Sequence, residues 1–377
     1  MKKLLLLCSF LISLSAFAQP DSSHLRVSLL TCGTGPESWQ TFGHTAIRIV
    51  DSSRGTDMAY NYGTFAFDDD FVVKFMRGKL LYYLSYYPYQ NFLDEYVDEK
   101  RSVYEQELLL SGDKKLALQE FLHENAKEEN RYYKYDFFFD NCATRIRDIF
   151  PQSLGESFKY GETPAATERI TFRDIINQYY YAKHWERIGV NVLLGSRIDA
   201  VMTNKDMMFL PDFLSDGIGK ANVNGKPIAG EKKQILDGSP HLPAGLNEPF
   251  IVMLGICILT LAGLMVRRLK PLGSVMTFLV LFFTGILGCL MLVMWFATDH
   301  QGCDNNLNIL WALPSNLVIA FASKRRKGRY AIVGIVCILI ALLLHILRVQ
   351  ALPLVELWPM LLALVFIFGT IYKRDKA

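Results

Sequence analysis

Two short strings far apart in the chain carry residue types that do nucleophilic chemistry together. They are Phe42-Gly43-His44-Thr45-Ala46-Ile47-Arg48-Ile49 and Asp140-Asn141-Cys142-Ala143-Thr144-Arg145-Ile146-Arg147-Asp148. A thiol and an imidazole are the minimum parts of an acyl-transfer site, in which sulfur attacks a carbonyl and the ring moves the proton. Both residues also have plainer readings. A lone cysteine in an apolar helix is commonly core filler, a lone histidine on a strand is commonly structural, and spacing alone leaves the readings level.

The elements around these residues decide whether they can meet. Alternate strand residues share a face, so Thr45, Ile47 and Ile49 form an apolar face and His44, Ala46 and Arg48 the other. Met58–Tyr62 reads as a second strand. The Asx and Gly chemistry of residues 51–55 joins the two as a hairpin. Ala59, Asn61 and Gly63 then share a face, and a register opposing Ala46 to Asn61 sets Asn61 diagonal to His44. In the second string, Asp140 or Asn141 is a natural N-cap and Cys142 falls in the first helical turn. Helical spacing puts Cys142, Ile146 and Ile149 on an inward stripe, with Thr144, Arg145, Arg147 and Asp148 nearer solvent. A helix N-terminus lowers a cysteine pKa and presents N–H groups to an oxyanion. Asp140 opposes a thiolate unless it caps or points away.

Further strands are expected at Leu25–Leu30, Leu80–Tyr87 and Ser102–Leu109, with helices at Gln90–Val97, Asp113–Glu128, Thr171–Gln178 and His184–Leu194. An aromatic run, Tyr132–Phe137, leads to the cysteine. The tyrosines of Leu81–Tyr87 suit either a headgroup-level surface or a core strand. Thr31–Gly35 lacks the Lys-Ser/Thr ending of a phosphate loop.

The 377 residues divide into unlike parts. Residues 1–18 read as a secretory signal, with Lys2 and Lys3, an apolar run Leu4–Leu14 and the small-residue site Ala16-Phe17-Ala18. Residues 20–247 read as a folded exported domain. Residues 248–377 read as a transmembrane region with about five spans, at 250–266, 274–297, 307–322, 330–347 and 354–371. Asn308, Pro314 and Asn316 interrupt the third. Basic clusters at Arg267–Lys270, Lys324–Arg329 and Lys373-Arg374 alternate with loops whose one basic residue is Arg348. The positive-inside rule therefore puts the basic loops and C-terminus in the cytoplasm and the exported domain in the periplasm, with the spans in the inner membrane.

The net charge of +3 gives no case for nucleic acid binding. The cysteine spacings match no zinc pattern, so neither metal nor cofactor is expected. Cys257, Cys289 and Cys337 lie in spans as small packers. Cys32, Cys142 and Cys303 face the exported side, where a disulfide is permitted. Cys32 reads as a buried thiol, a disulfide partner or a second reactive cysteine. Asp299-His300 and Asn305-Asn306 lie at the outer ends of the second and third spans and suit a headgroup or domain-docking role. Glu356 suits snorkelling to the outer surface.

A family resemblance adds to this reading. Leu29-Leu30-Thr31-Cys32-Gly33, Gly43-His44-Thr45-Ala46-Ile47-Arg48, Asn61-Tyr62-Gly63, Asp140-Asn141-Cys142-Ala143-Thr144, Phe209-Leu210-Pro211, Thr298-Asp299-His300 and Asn306-Leu307-Asn308 resemble the Lnb-type lipoprotein N-acyltransferases. The order of histidine, polar strand residue and Asn-Cys resembles the circularly permuted branch of the papain-like NlpC-type superfamily, which includes lecithin retinol acyltransferase. The resemblance implies an α+β exported domain of permuted papain-like fold followed by a five-helix all-α transmembrane bundle. It implies transfer of an acyl chain from a membrane phospholipid donor to the α-amino group of a diacylglyceryl-cysteine lipoprotein acceptor. Cys142 would form a thioester, His44 would be the base and Asn61 would orient the ring. Many permuted relatives carry a second histidine where Asn61 stands. Candidate substrate contacts are Asn141, Thr144 and Arg145 at the helix start, and Asp299 and His300 at the second span. The papain-like resemblance also allows a membrane-anchored cell-wall amidase or peptidase. A non-enzymatic membrane scaffold is the third reading, and the oligomeric state stays open.

Overall fold

The computed structural model describes residues 24–66, 69–238, 245–322 and 328–376. The expected signal over 1–18 and the basic run Lys324–Lys327 lie outside the described residues. Seven of the ten described strands of the exported region build its main sheet: β1 (Leu25–Cys32), β2 (His44–Asp51), β3 (Thr56–Phe65), β4 (Leu81–Pro88), β5 (Val103–Leu108), β6 (Tyr132–Lys134) and β7 (Ala229–Leu236). They form one sheet in the order β7-β5-β1-β2-β3-β4-β6, and every pair is antiparallel. Besides the four-residue helix Asn204–Met207, the α-helices of this region are α1 (Phe71–Met76), α2 (Tyr89–Asp98), α3 (Gly112–Asn125), α4 (Cys142–Leu154), α5 (Phe172–Tyr179), α6 (His184–Leu193) and α7 (Pro211–Gly219).

Strand alternation sorts the side chains into two cores. Leu29, Ile47, Ile49, Tyr60 and Tyr62 face one way, against Leu122 of α3, Ile146 and Phe150 of α4 and Leu214 of α7. Leu30, Cys32, Ala46, Ala59 and Val103 face the other way, under Tyr89, Phe92 and Tyr96 of α2. β7 was not expected from the sequence. Its Glu231-Lys232-Lys233-Gln234 stretch is exposed on the sheet edge, so it has no apolar alternation, and its charges suit an edge strand.

The membrane region holds α8 (Glu248–Met265), α9 (Lys270–Phe296), α10 (Ser315–Phe321), α11 (Gly328–Ile346) and α12 (Leu354–Lys376). Among the described residues, four helices are long and apolar enough to span, against the five spans expected. The expected span 307–322 is a 3-10 turn, Leu307–Leu310, followed by the seven-residue α10. Pro314 supplies no N–H to continue a helix through this point. The segment still runs alongside α9 at backbone contact. A Cβ on Gly288 would collide with the Ala312 carbonyl, and one on Gly285 with the Leu317 backbone. Further along, Phe321 packs edge-on against Phe278 and Phe282. The buried Asn316 amide donates to Thr284 Oγ1 at 3.1 Å and accepts from the Tyr330 hydroxyl at 2.7 Å, as polar groups in this setting require.

α6 joins the two regions. Its Ile188 and Val192 pack with Val280, Met291 and Trp311 of the membrane side. Arg187 pairs with Glu356, whose Oε1 also accepts from Asn247 Nδ2 at 2.9 Å. Glu356 is therefore buried in an ion pair and does not snorkel. Asn306 Nδ2 donates to the carbonyls of Val192 and Leu193, both at 2.9 Å, and Asn308 Nδ2 to Val192 at 3.1 Å. These asparagines take up the terminal carbonyls that a helix leaves unpaired.

Candidate active site

β2 starts at His44, so the ring stands at the end of the sheet. The ladder pairs Ile47 with Tyr60 and Arg48 with Ala59, and continuing it one step sets Ala46 opposite Asn61. Asn61 Oδ1 then lies 2.6 Å from His44 Nε2. The amide is turned that way by its other end: Asn61 Nδ2 donates to the Tyr87 hydroxyl at 3.2 Å, and that hydroxyl donates to Glu95 Oε2 at 3.4 Å. An oxygen facing Nε2 makes that nitrogen the N–H donor of the neutral ring, which leaves Nδ1 as the base.

Cys142 is the first residue of α4, and Asn141 is its N-cap. Asn141 Oδ1 accepts from the Thr144 N–H at 2.9 Å while Thr144 Oγ1 accepts from the Asn141 N–H at 2.7 Å, a reciprocal capping box. Asn141 Nδ2 donates to the carbonyls of Phe137 at 2.7 Å and Phe209 at 2.9 Å. Asn141 and Thr144 are both buried. Asn141 and Thr144, expected as substrate contacts, here use these polar atoms to hold the start of α4. Asp140 does not face the thiol. It pairs with the Arg145 guanidinium, whose Nη2 is 2.5 Å from Oδ2 and which lies 4.3 Å from the Tyr133 ring centre. Arg145 stays partly exposed at the rim.

Gly63 completes the contact between ring and thiol. Its backbone has φ of +112°, and a Cβ there would sit 3.3 Å from His44 Cε1 and 3.9 Å from Cys142 Cβ. Only glycine accepts both the conformation and the space without strain. The sequence marked it by its shared face with Asn61. Tyr87, Glu95 and the Phe209 carbonyl were missed as supports. Tyr87 had a signal, since alternation along β4 puts it on the Asn61 side.

Burial pushes the Cys142 thiol up, but the His44 charge and hydrogen bond and the backbone groups of Thr45 and Ala143 outweigh it, so the thiol is held below its ordinary range. Burial pushes the His44 imidazole down, but the Cys142 charge and hydrogen bond and then Asn61 outweigh that, so the imidazole is held above its ordinary range. The two directions belong to one coupled pair, in which each charged form favours the other. Such a pair can attack a carbonyl and return a proton to a leaving group.

Asp299 and His300 are not beside the thiol pair. Asp299 pairs with Lys134 and donates its N–H to the Arg77 carbonyl at 2.9 Å, and His300 Nε2 lies 3.0 Å from the Phe75 carbonyl. They dock the membrane region onto α1 and β6, the docking role being one of the two expected of them. Among the described residues, no three His, Cys, Asp or Glu side chains gather to hold a metal.

Residues 15–178 match the Lnb N-terminal periplasmic domain, and residues 243–375 match the Lnb transmembrane domain. The chain belongs to the Lnb-type family. No curated protein and no solved structure matches it. As an Lnb-type protein it is a membrane protein with an N-terminal periplasmic domain and a C-terminal transmembrane region. The site of this Lnb-type chain is distinct from its apolar cavity of about 490 Å³, which lies between α6 and the spans, lined by Trp185, Val192, Met253, Phe283 and Leu357 among others. Neither Cys142 nor His44 lines that cavity.

Proposed function

We propose that this Lnb-type protein is a lipoprotein N-acyltransferase acting through a thioester on Cys142. The periplasmic domain is of the permuted papain-like kind, the bundle lies in the inner membrane, and the C-terminus is cytoplasmic. The observation that carries the reading is the Cys142–His44–Asn61 cluster, with Asn61 Oδ1 2.6 Å from His44 Nε2 and the Cys142 thiol hydrogen-bonded to the same ring.

In the first half-reaction the Cys142 sulfur attacks the ester carbonyl of a membrane phospholipid. The S–C bond forms, the C–O bond to glycerol breaks, and the His44 imidazolium protonates the departing oxygen. The positive end of α4 faces the oxyanion that develops. In the second half the free α-amine of a diacylglyceryl-cysteine attacks the thioester. The N–C bond forms, His44 takes the amine proton, and the C–S bond breaks to return the thiolate. An α-amine has a pKa near ~8 and is partly neutral at periplasmic pH, so it needs only a modest base. Donor and acceptor are both bilayer lipids, which supports a nucleophile domain docked on a transmembrane bundle.

Mass spectrometry of a lipoprotein N-terminus tests this in a strain whose other N-acylating enzymes are deleted. Cys142→Ser should leave the lipoprotein diacylated with a free amine, and intact protein should carry an acyl mass on Cys142 only in the wild type. Full triacylation in the Cys142→Ser strain would sink the proposal.

A further inference from the structure

Four exposed large apolar residues of the periplasmic domain lie together on the short helix α1. This six-residue helix, Phe71-Val72-Val73-Lys74-Phe75-Met76, has no buried residue. Val72 is 63%, Val73 56%, Phe75 53% and Met76 57% exposed. One short helix presenting four large apolar side chains to the surroundings marks an interaction surface.

The docking contacts set the height of that surface. The Phe75 carbonyl lies 3.0 Å from His300 Nε2, and the Arg77 carbonyl accepts from the Asp299 N–H at 2.9 Å. A Cβ on Gly78 would lie 3.0 Å from the His300 nitrogen. Asp299 and His300 directly follow the outer end of α9, which closes at Phe296. α1 is therefore held where a spanning helix leaves the bilayer. Lys74 lies on the helix, and Arg77 and Lys79 follow it. Apolar side chains edged by cations are what a helix lying in the lipid interface presents, with the cations toward lipid phosphates.

The inner end of α1 leads to the thiol. Phe71 stacks on Phe65 at 5.5 Å, Phe65 meets Tyr82 at 5.1 Å, and Tyr82 stacks on Tyr135 at 4.2 Å. Burial first, and then the neighbouring Cys142, raises the Tyr82 hydroxyl to about 12.

We propose that α1 is a membrane-seated rim beside the Cys142 site, with Val72, Val73, Phe75 and Met76 among the acyl chains of the periplasm-facing leaflet. Its use as the donor's way in rests on the acyltransferase reading, whereas its seating in lipid does not. The occupant is the bilayer itself, because α1 continues the surface that α9 already presents to lipid.

The test uses the full chain in nanodiscs of phosphatidylethanolamine and phosphatidylglycerol. Val73→Cys, placed in a Cys142→Ser background, carries an environment-sensitive fluorophore. The background protein corrects for label on other thiols. Arg54→Cys, on the exposed β2–β3 turn at the far end of the hairpin from His44, is the aqueous reference. Lipids bearing a nitroxide on the acyl chain should quench the Val73 label about threefold more than the Arg54 label, and iodide in the buffer should do the reverse. Iodide quenching of Val73 equal to that of Arg54, with no quenching from lipid, would overturn the proposal. The protein tested forms no thioester, so α1 can be found in lipid even if the acyltransferase reading fails, and the two ideas fall separately.

Discussion

Cys32 and Cys142 lie in one domain, each close to His44, and their surroundings drive them apart. Cys32 is the direct β1 partner of His44 in the sheet register. It is fully buried beneath α2, and burial pushes its thiol up to about 12 against a Tyr96 hydrogen bond and the Arg101 charge. Cys142 is partly exposed, and burial pushes it up as well, yet the His44 imidazole and two backbone groups reverse the sign. Backbone adjacency to a histidine therefore activates nothing. What activates a thiol is a ring nitrogen aimed at it and a helix start that stabilises negative charge.

The largest effects break this comparison outright. Cys142→Ala should lower acyl transfer by about 10⁴-fold or more, because no other group in the site can carry the acyl chain. Cys32→Ala should keep transfer within about twofold and cost roughly 1–2 kcal/mol of stability for the small cavity it leaves. Intact-mass detection of the acyl adduct and a thermal melt read the two outcomes. An adduct that migrates to Cys32, or a Cys32→Ala protein that loses transfer, would make the two thiols one functional unit.

His44→Gln comes next, at about 10³-fold, within the range for removing a general base. Its sharper readout is pH. The folded thiol of Cys142 is held below its ordinary 9.0 by the imidazole, so its alkylation by iodoacetamide should rise with pH at a midpoint below 9.0. In His44→Gln the burial effect is left without its main opponent, so the midpoint should move upward. Cys32 should stay unreactive across the same range in both proteins. An unmoved Cys142 midpoint would show that the ring does not set the thiolate.

What could be read from the chain follows the range of the interactions. The hairpin and the His44–Asn61 approach are local: a turn with Asx and Gly chemistry sets the register, and alternation does the rest. The start of α4 was legible from Asn141, whose side chain caps the helix as its residue type and position suggest. Tyr87 and Glu95 reach Asn61 only through the pairing of β4 with β3 and the packing of α2, neither of which local pattern encodes. β7 pairs with β5 across more than half of the domain, and its middle, Glu231–Gln234, is polar and exposed. The break in the third span was legible at Pro314, whereas its close approach to Gly285 and Gly288 of α9 is a contact between distant segments that local pattern does not encode.

The smallest effect tests how the better of the two thiol sites is held. Tyr87→Phe keeps the ring near Phe92, at 6.3 Å, and removes one hydroxyl. Asn61 Nδ2 then loses its acceptor, and the amide can turn its NH₂ toward His44 Nε2. Two donors facing each other disfavour the tautomer with the proton on Nε2, so Nδ1 is the proton acceptor less often. Losing one neutral hydrogen bond is worth about 1 kcal/mol, so Cys142 alkylation and transfer should fall about three- to fivefold. Because Tyr87 acts through Asn61, Asn61→Ala combined with Tyr87→Phe should be no slower than Asn61→Ala alone. Additive losses in that double variant would mean that Tyr87 reaches the site by another route. A Tyr87→Phe enzyme with wild-type alkylation would mean that the amide is oriented without the hydroxyl, leaving Glu95 with no part in the site.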